Sequence, residues 1–168
     1  SIDSGASEIS VLIKDAGKTL INVIDNGSGM NEEDAKLAFL RHSTSKISTY
    51  DDLENIRTLG FRGEALASIA AISQVELKTR LRSDDVGTLV RIEGNEVKEV
   101  SKANFEPGTS VSVKNIFYNT PGRRNFLKSN QTEFRHIYDT FVRLAVSNPG
   151  IEFRFYNNDE MIFDLKPA

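Results

Sequence analysis

The chain has 168 residues, 39% of them hydrophobic, enough for one core and too few for two complete domains. A formal charge of -3 excludes the overall basic field that drives nonspecific nucleic-acid binding, and the absence of cysteine excludes disulfides and thiolate metal sites. No apolar run approaches the roughly 20 residues of a bilayer span and no signal core opens the chain, so a soluble, cytoplasmic protein without a membrane partner is expected.

Two short runs rich in β-branched and apolar residues, 9–14 and 19–24, flank Asp15-Ala16-Gly17 and predict a hairpin. Asn31 followed by Glu32, Glu33 and Asp34 places a capping side chain and then acids at a helix start. Ala35, Phe39 and Leu40 share one face, so a short helix runs to about Leu40. Residues 41–59 are polar with little periodicity, a long loop of the kind that often serves as a lid. Helical spacing returns over 62–72 with Leu66, Ile69 and Ala70.

Strand-like runs at 74–80, 88–92, 95–100 and 109–116, with turns at Asp84-Asp85, Gly94 and Pro107-Gly108, predict an antiparallel meander. Phe134, Ile137, Tyr138, Phe141 and Ala145 then mark an amphipathic helix, stopped by Ser147-Asn148-Pro149-Gly150. Strands at 152–156 and 161–165 close the chain. Strands and helices mix without regular βαβ alternation, which predicts an α+β fold: a two-layer sandwich with helices over one face of a mostly antiparallel sheet.

Three segments could carry chemistry. Asp25-Asn26-Gly27-Ser28-Gly29-Met30 leaves a strand and opens into a helix. Asp-Asn-Gly is turn chemistry anywhere; its chemical reading is purine recognition, a carboxylate accepting from an exocyclic amine while glycines admit a flat base. Gly60-Phe61-Arg62-Gly63-Glu64-Ala65-Leu66 is either a tight connection or a phosphate cradle, its backbone N–H groups at a helix start, and it lacks the Gly-Lys-Ser/Thr ending of a Walker loop. Arg41 to Lys46 combines two cations, an imidazole and three hydroxyls, suited to phosphate oxygens or to plain solvation. His42 and His136 have no metal-pair spacing.

The strings DNGSGM at 25–30, RHSTSKI at 41–47, GFRGEALASI at 60–69 and FYNTPGRRNFLK at 117–128 resemble the GHKL ATPases and, within them, the MutL-type DNA mismatch repair branch. The resemblance runs over nearly the whole chain and implies the Bergerat ATP-binding fold. It implies that Asp25 binds the adenine amine, that Gly27 and Gly29 form the base pocket, and that Thr109 adds a contact near the base. Thr44, Ser45 and Lys46 match a lid segment that touches nucleotide, with Lys46 the charged contact. Gly60, Phe61, Arg62, Gly63, Glu64, Ala65 and Leu66 match the phosphate-binding loop. Residues 117–128 match a family signature to which it assigns no definite catalytic role, their arginines being structural or serving an interface.

The same resemblance places a water-activating glutamate and a Mg²⁺-ligating asparagine upstream of Ser1. No catalytic or metal residue is therefore expected in this chain, although ATP and Mg²⁺ are the cofactors implied for a longer parent. Residues 1–168 are expected to form one ATP-binding lobe, lacking its first helix and a following second lobe. The implied function is ATP-driven dimer closure that couples mismatch recognition to repair. The alternative is a nucleotide-sensing module that binds without turnover. A homodimer, the mismatch-recognition protein MutS and DNA are the implied partners of the parent. RHSTSKI favours a bacterial, cytoplasmic protein over a eukaryotic, nuclear one.

Overall fold

The computed structural model describes residues 1–39 and 65–168. The expected hairpin forms from β1 (Glu8–Lys14) and β2 (Leu20–Asp25), joined by a 3-10 turn at Asp15–Gly17. Asn31 caps α1 (Glu32–Leu37), its side chain accepting from Asp34 N at 2.7 Å. The described part of the next helix, α2, spans Ala65–Ala71. Then come β3 (Gln74–Arg80), β4 (Gly87–Glu93), β5 (Glu96–Ala103) and β6 (Gly108–Lys114). A five-residue helix α3 (Pro121–Asn125), the long α4 (Asn130–Ser147), β7 (Glu152–Asn157) and β8 (Glu160–Leu165) complete the chain.

These strands form one eight-stranded sheet in the order β5-β4-β3-β6-β2-β1-β7-β8, antiparallel throughout except for the parallel pair β1 and β7. The order departs from the expected meander. β6 does not continue from β5 but crosses back to pair with β3, giving the Greek-key order. The crossing segment passes tightly over the end of β4: a Cβ on Gly87 would lie 2.4 Å from the Phe105 ring. Arg80 holds the same segment by donating to Phe105 O at 3.0 Å. In its new place β6 turns Val111 and Val113 toward the core and joins the hairpin to β3, where pairing with β5 would have left the two halves of the sheet apart.

Strand side chains alternate between faces, so the register decides which residues share one. Ile9 and Ile13 of β1, Val75 and Leu77 of β3, Val90 and Ile92 of β4, and Phe153 and Phe155 of β7 are all buried on the same side. Over β1 and β7 lies α4, with Phe141 wedged against Phe153 and Phe155 at ring-centroid distances of 5.8 and 4.8 Å. Over β3 and β4 lie α1 and α2, whose Ala35 and Ala70 allow close approach. Each fully buried large side chain contributes about 1.5–3 kcal/mol. The opposite face carries polar residues such as Ser10, Glu76, Lys78 and Ser112, and among the described residues α1, α2 and α4 cover the apolar face, as the sequence predicts.

Candidate nucleotide site

The apolar face turns polar at one end. In β2 the core-facing run Ile21, Val23 finishes on Asp25; in β6 Val113, Val111 finish on Thr109; in β3 Val75, Leu77 finish on Thr79; and in β4 Ile92, Val90 finish on Thr88. Pairing puts Asp25 opposite Thr109, Thr109 opposite Thr79 and Thr79 opposite Thr88, so one polar row crosses four adjacent strands. Asp25, Thr79 and Thr88 are buried. Buried polar side chains are unfavourable unless they are hydrogen-bonded, and this row is bonded throughout its centre.

Asp25 Oδ1 accepts from Gly27 N at 2.9 Å and Oδ2 accepts from Ser1 Oγ at 2.5 Å. A carboxylate offers about four lone-pair positions, so acceptor capacity remains after these two bonds. Thr79 Oγ1 accepts from Met30 N at 2.9 Å, donates to Gly108 O at 3.1 Å and lies 2.9 Å from Thr109 Oγ1.

The 25–30 loop is drawn across the strand ends by these contacts. Gly29 has φ of 72°, and a Cβ there would sit 2.0 Å from Arg80 O, so only glycine permits this path. Ser28 N donates to Ser4 O at 3.0 Å, and Arg82 donates to Asn26 O at 3.2 Å. Asn26 ties the loop to β1, its Oδ1 accepting from Ser7 N and Glu8 N at 2.9 and 3.0 Å. A cleft of about 420 Å³ opens beside the loop, bordered by Ser4, Gly27, Ser28 and Arg82.

Of the residues singled out by sequence, Asp25, Gly27, Gly29 and Thr109 come together at this end of the sheet. Ala65 and Leu66 belong to the described part of α2, Ala65 exposed and Leu66 packed against the core. Thr44, Ser45, Lys46, Gly60, Phe61, Arg62, Gly63 and Glu64 lie outside the described residues, as do His42 and the 41–59 loop. The 117–128 segment lies elsewhere. Its Tyr118, Arg124 and Leu127 border a cleft of about 430 Å³ with Lys18 and Asn115, at the end of the sheet opposite Asp25. His136 is exposed on α4. Among the described residues no group of three or more His, Asp or Glu side chains could hold a metal ion, and no helix is long and apolar enough to cross a membrane.

Sequence reading missed Ser1, Thr79 and Thr88. A signal for the threonines exists in the alternation of β3 and β4, where an apolar period of two ends on a hydroxyl, but one strand alone does not say that three others end the same way.

A one-layer-covered antiparallel sheet, with a buried carboxylate at a strand end beneath a glycine loop, is the arrangement of an ATPase family. The chain belongs to the histidine kinase-, DNA gyrase B-, and HSP90-like ATPases, whose family model matches residues 1–119. It is 58% identical to the DNA mismatch repair protein MutL of Chloroherpeton thalassium over 98% of the chain and 26% of that protein. It is 53% identical to MutL of Chlorobaculum tepidum over all of the chain and 27% of that protein. The chain thus spans about a quarter of these curated relatives. Its structure is similar to the Aquifex aeolicus MutL ATPase domain complexed with ADP, at TM-score 0.78 and 28% identity, covering the whole chain and 59% of that structure. The N-terminal domain of a DNA repair protein matches at TM-score 0.81 and 27% identity, covering the whole chain and 50% of that structure.

Proposed function

We propose that residues 1–168 form the adenine-nucleotide-binding lobe of a MutL-type DNA mismatch repair ATPase. The observation that carries the reading is the pairing of Asp25 with Thr109, two oxygen-bearing side chains opposite each other on neighbouring strands, under a glycine loop that keeps backbone close. An ionised carboxylate only accepts, so it favours the 6-amino group of adenine and opposes the 6-carbonyl of guanine. Gly27 and Gly29 keep the loop thin beside the base. Thr44, Ser45 and Lys46, with residues 60–66, are the proposed phosphate contacts, on the strength of the family resemblance.

The likeness to MutL proteins and to a MutL ATPase domain complexed with ADP supports the repair and nucleotide assignments, and the sequence resemblance suggests the rest. In the longer protein ATP with Mg²⁺ drives closure of a homodimer, and MutS and DNA are its partners in a bacterial cytoplasm. Residues 1–168 bind nucleotide, and hydrolysis rests on the glutamate and asparagine that the family resemblance places ahead of residue 1. The test is calorimetry of the full-length protein with ATP and GTP. A preference for ATP that Asp25→Asn abolishes is expected, and equal affinity for the two nucleotides would overturn the reading.

A further inference from the structure

We infer that Thr79 is a positioning residue for base recognition, which fixes the Thr109 hydroxyl as a hydrogen-bond acceptor beside Asp25 so that the two side chains take both protons of a 6-aminopurine. The inference rests on the adenine-site reading above and specifies how that site distinguishes its base.

A threonine hydroxyl has one proton and two lone pairs. Thr79 is 1% exposed, so its bonds must come from the protein. Three neighbours surround its oxygen: Met30 N–H, which can only donate; Gly108 O, which can only accept; and Thr109 Oγ1, which can do either. If Thr79 gives its proton to Thr109, Gly108 O loses that partner and only two bonds form. If Thr79 gives its proton to Gly108 O, Thr109 must donate to Thr79, and all three bonds form at once. In a buried site the arrangement with the extra bond prevails, since an unmet polar group there is unfavourable.

The direction of one proton is thereby passed to the surface of the site. Thr109, half-buried, spends its only proton on Thr79 and presents lone pairs alone. It stands opposite Asp25 in the β2–β6 register, where facing Cβ atoms are about 4.5–5.5 Å apart. The Asp25 oxygens already receive Gly27 N–H and Ser1 O–H, which hold that carboxylate as an acceptor as well. Two acceptors side by side match an amino group, which has two protons, and repel a carbonyl. Thr79 also receives the N–H of Met30, so the same hydroxyl that orients Thr109 anchors the glycine loop over it.

The experiment compares ADP with the diphosphate of purine riboside, which lacks the 6-amino group, on the full-length protein by calorimetry. The unaltered protein should bind ADP more tightly. Thr79→Val, close in volume but without the hydroxyl, frees Thr109 to turn its proton outward and should compress that preference by roughly three- to tenfold, the weight of one hydrogen bond. Thr79→Ser should restore it. A role confined to stability would weaken both ligands together, so an unchanged ratio in Thr79→Val overturns the inference. Thr109→Val keeps the test decisive should Thr79→Val not fold: it must compress the ratio as well, and a preserved ratio there is equally fatal. Equal binding of the two diphosphates by the unaltered protein would sink the adenine reading itself. Discrimination that survives Thr79→Val and Thr109→Val but is lost in Asp25→Asn would sink only the positioning role of Thr79.

Discussion

Exchanging the Asp25 carboxylate for an amide turns one of its oxygens into a donor, and the two groups already bound to it respond differently. Gly27 N–H can only donate and keeps the remaining oxygen, whereas the Ser1 hydroxyl can rotate and accept from the new NH₂. The local bonds survive and the free acceptor facing the site does not. Asp25→Asn is therefore expected to weaken ATP binding by about 1–3 kcal/mol, the usual loss for a hydrogen bond to a charged group, with little change in melting temperature. Calorimetry and thermal denaturation of the same sample check this together, and a large fall in melting temperature with binding intact would contradict it. Gly29→Ala should lower stability as well. Its Cβ would meet Arg80 O at 2.0 Å from a backbone at φ 72°, so the loop must lift off the strand ends and withdraw Met30 N from Thr79. The left-handed backbone alone costs about 1–2 kcal/mol, which a denaturant midpoint would register, and an unchanged midpoint would contradict the close packing of Gly29 on Arg80.

At the scale of elements, α1 is held to the sheet edge by charge as well as by Ala35. Glu32 lies 2.9 Å from Lys102 of β5 and 3.3 Å from Lys36 one turn along its own helix. The Lys102 amine above all, with Lys36, holds the Glu32 carboxyl below the ordinary glutamate value. A carboxylate whose folded value is depressed stabilises the fold above its unfolded value and loses that contribution as pH falls through the folded one. Lys102→Ala should raise the Glu32 titration midpoint seen by NMR, and an unmoved midpoint would show that the pair does not form. Elements of this kind are legible in the sequence because their signals are local: the Asn31 cap, the hairpin about Asp15–Gly17, the apolar stripe of α4. The return of β6 to β3 and the parallel pairing of β7 with β1 are not, because strand partners are chosen by tertiary packing. Pro121-Gly122-Arg123-Arg124-Asn125 offers no apolar period, so α3 is invisible as a helix. For the site, Asp25, Gly27, Gly29 and Thr109 stand out through motif and resemblance. Thr79 does not, since its meaning lies in a row that exists only after four strands are in register.

For the whole molecule, the position of the row within the sheet bears on which task residues 1–168 perform. Asp25 and Thr109 sit on β2 and β6, inside the sheet and away from both edge strands, so the proposed base site lies at the centre of one end of the sheet. Hydrolysis needs an in-line water oriented or activated by a well-placed group, and a cation to neutralise charge developing on the phosphates. On the proposed reading Asp25 accepts from Ser1, Gly27 and the adenine amine, which assigns it to base recognition and not to activation of water. The family resemblance assigns both tasks to a glutamate and an asparagine ahead of residue 1. If that assignment holds, purified residues 1–168 are expected to release no phosphate above background and to bind ADP more weakly than the full-length protein. Steady-state phosphate release, measured beside the full-length protein at equal concentration, decides the matter. Comparable turnover would place a catalytic base within these residues and would require a different mechanism, whereas turnover by the full-length protein alone would support assigning the water-activating group to residues outside 1–168.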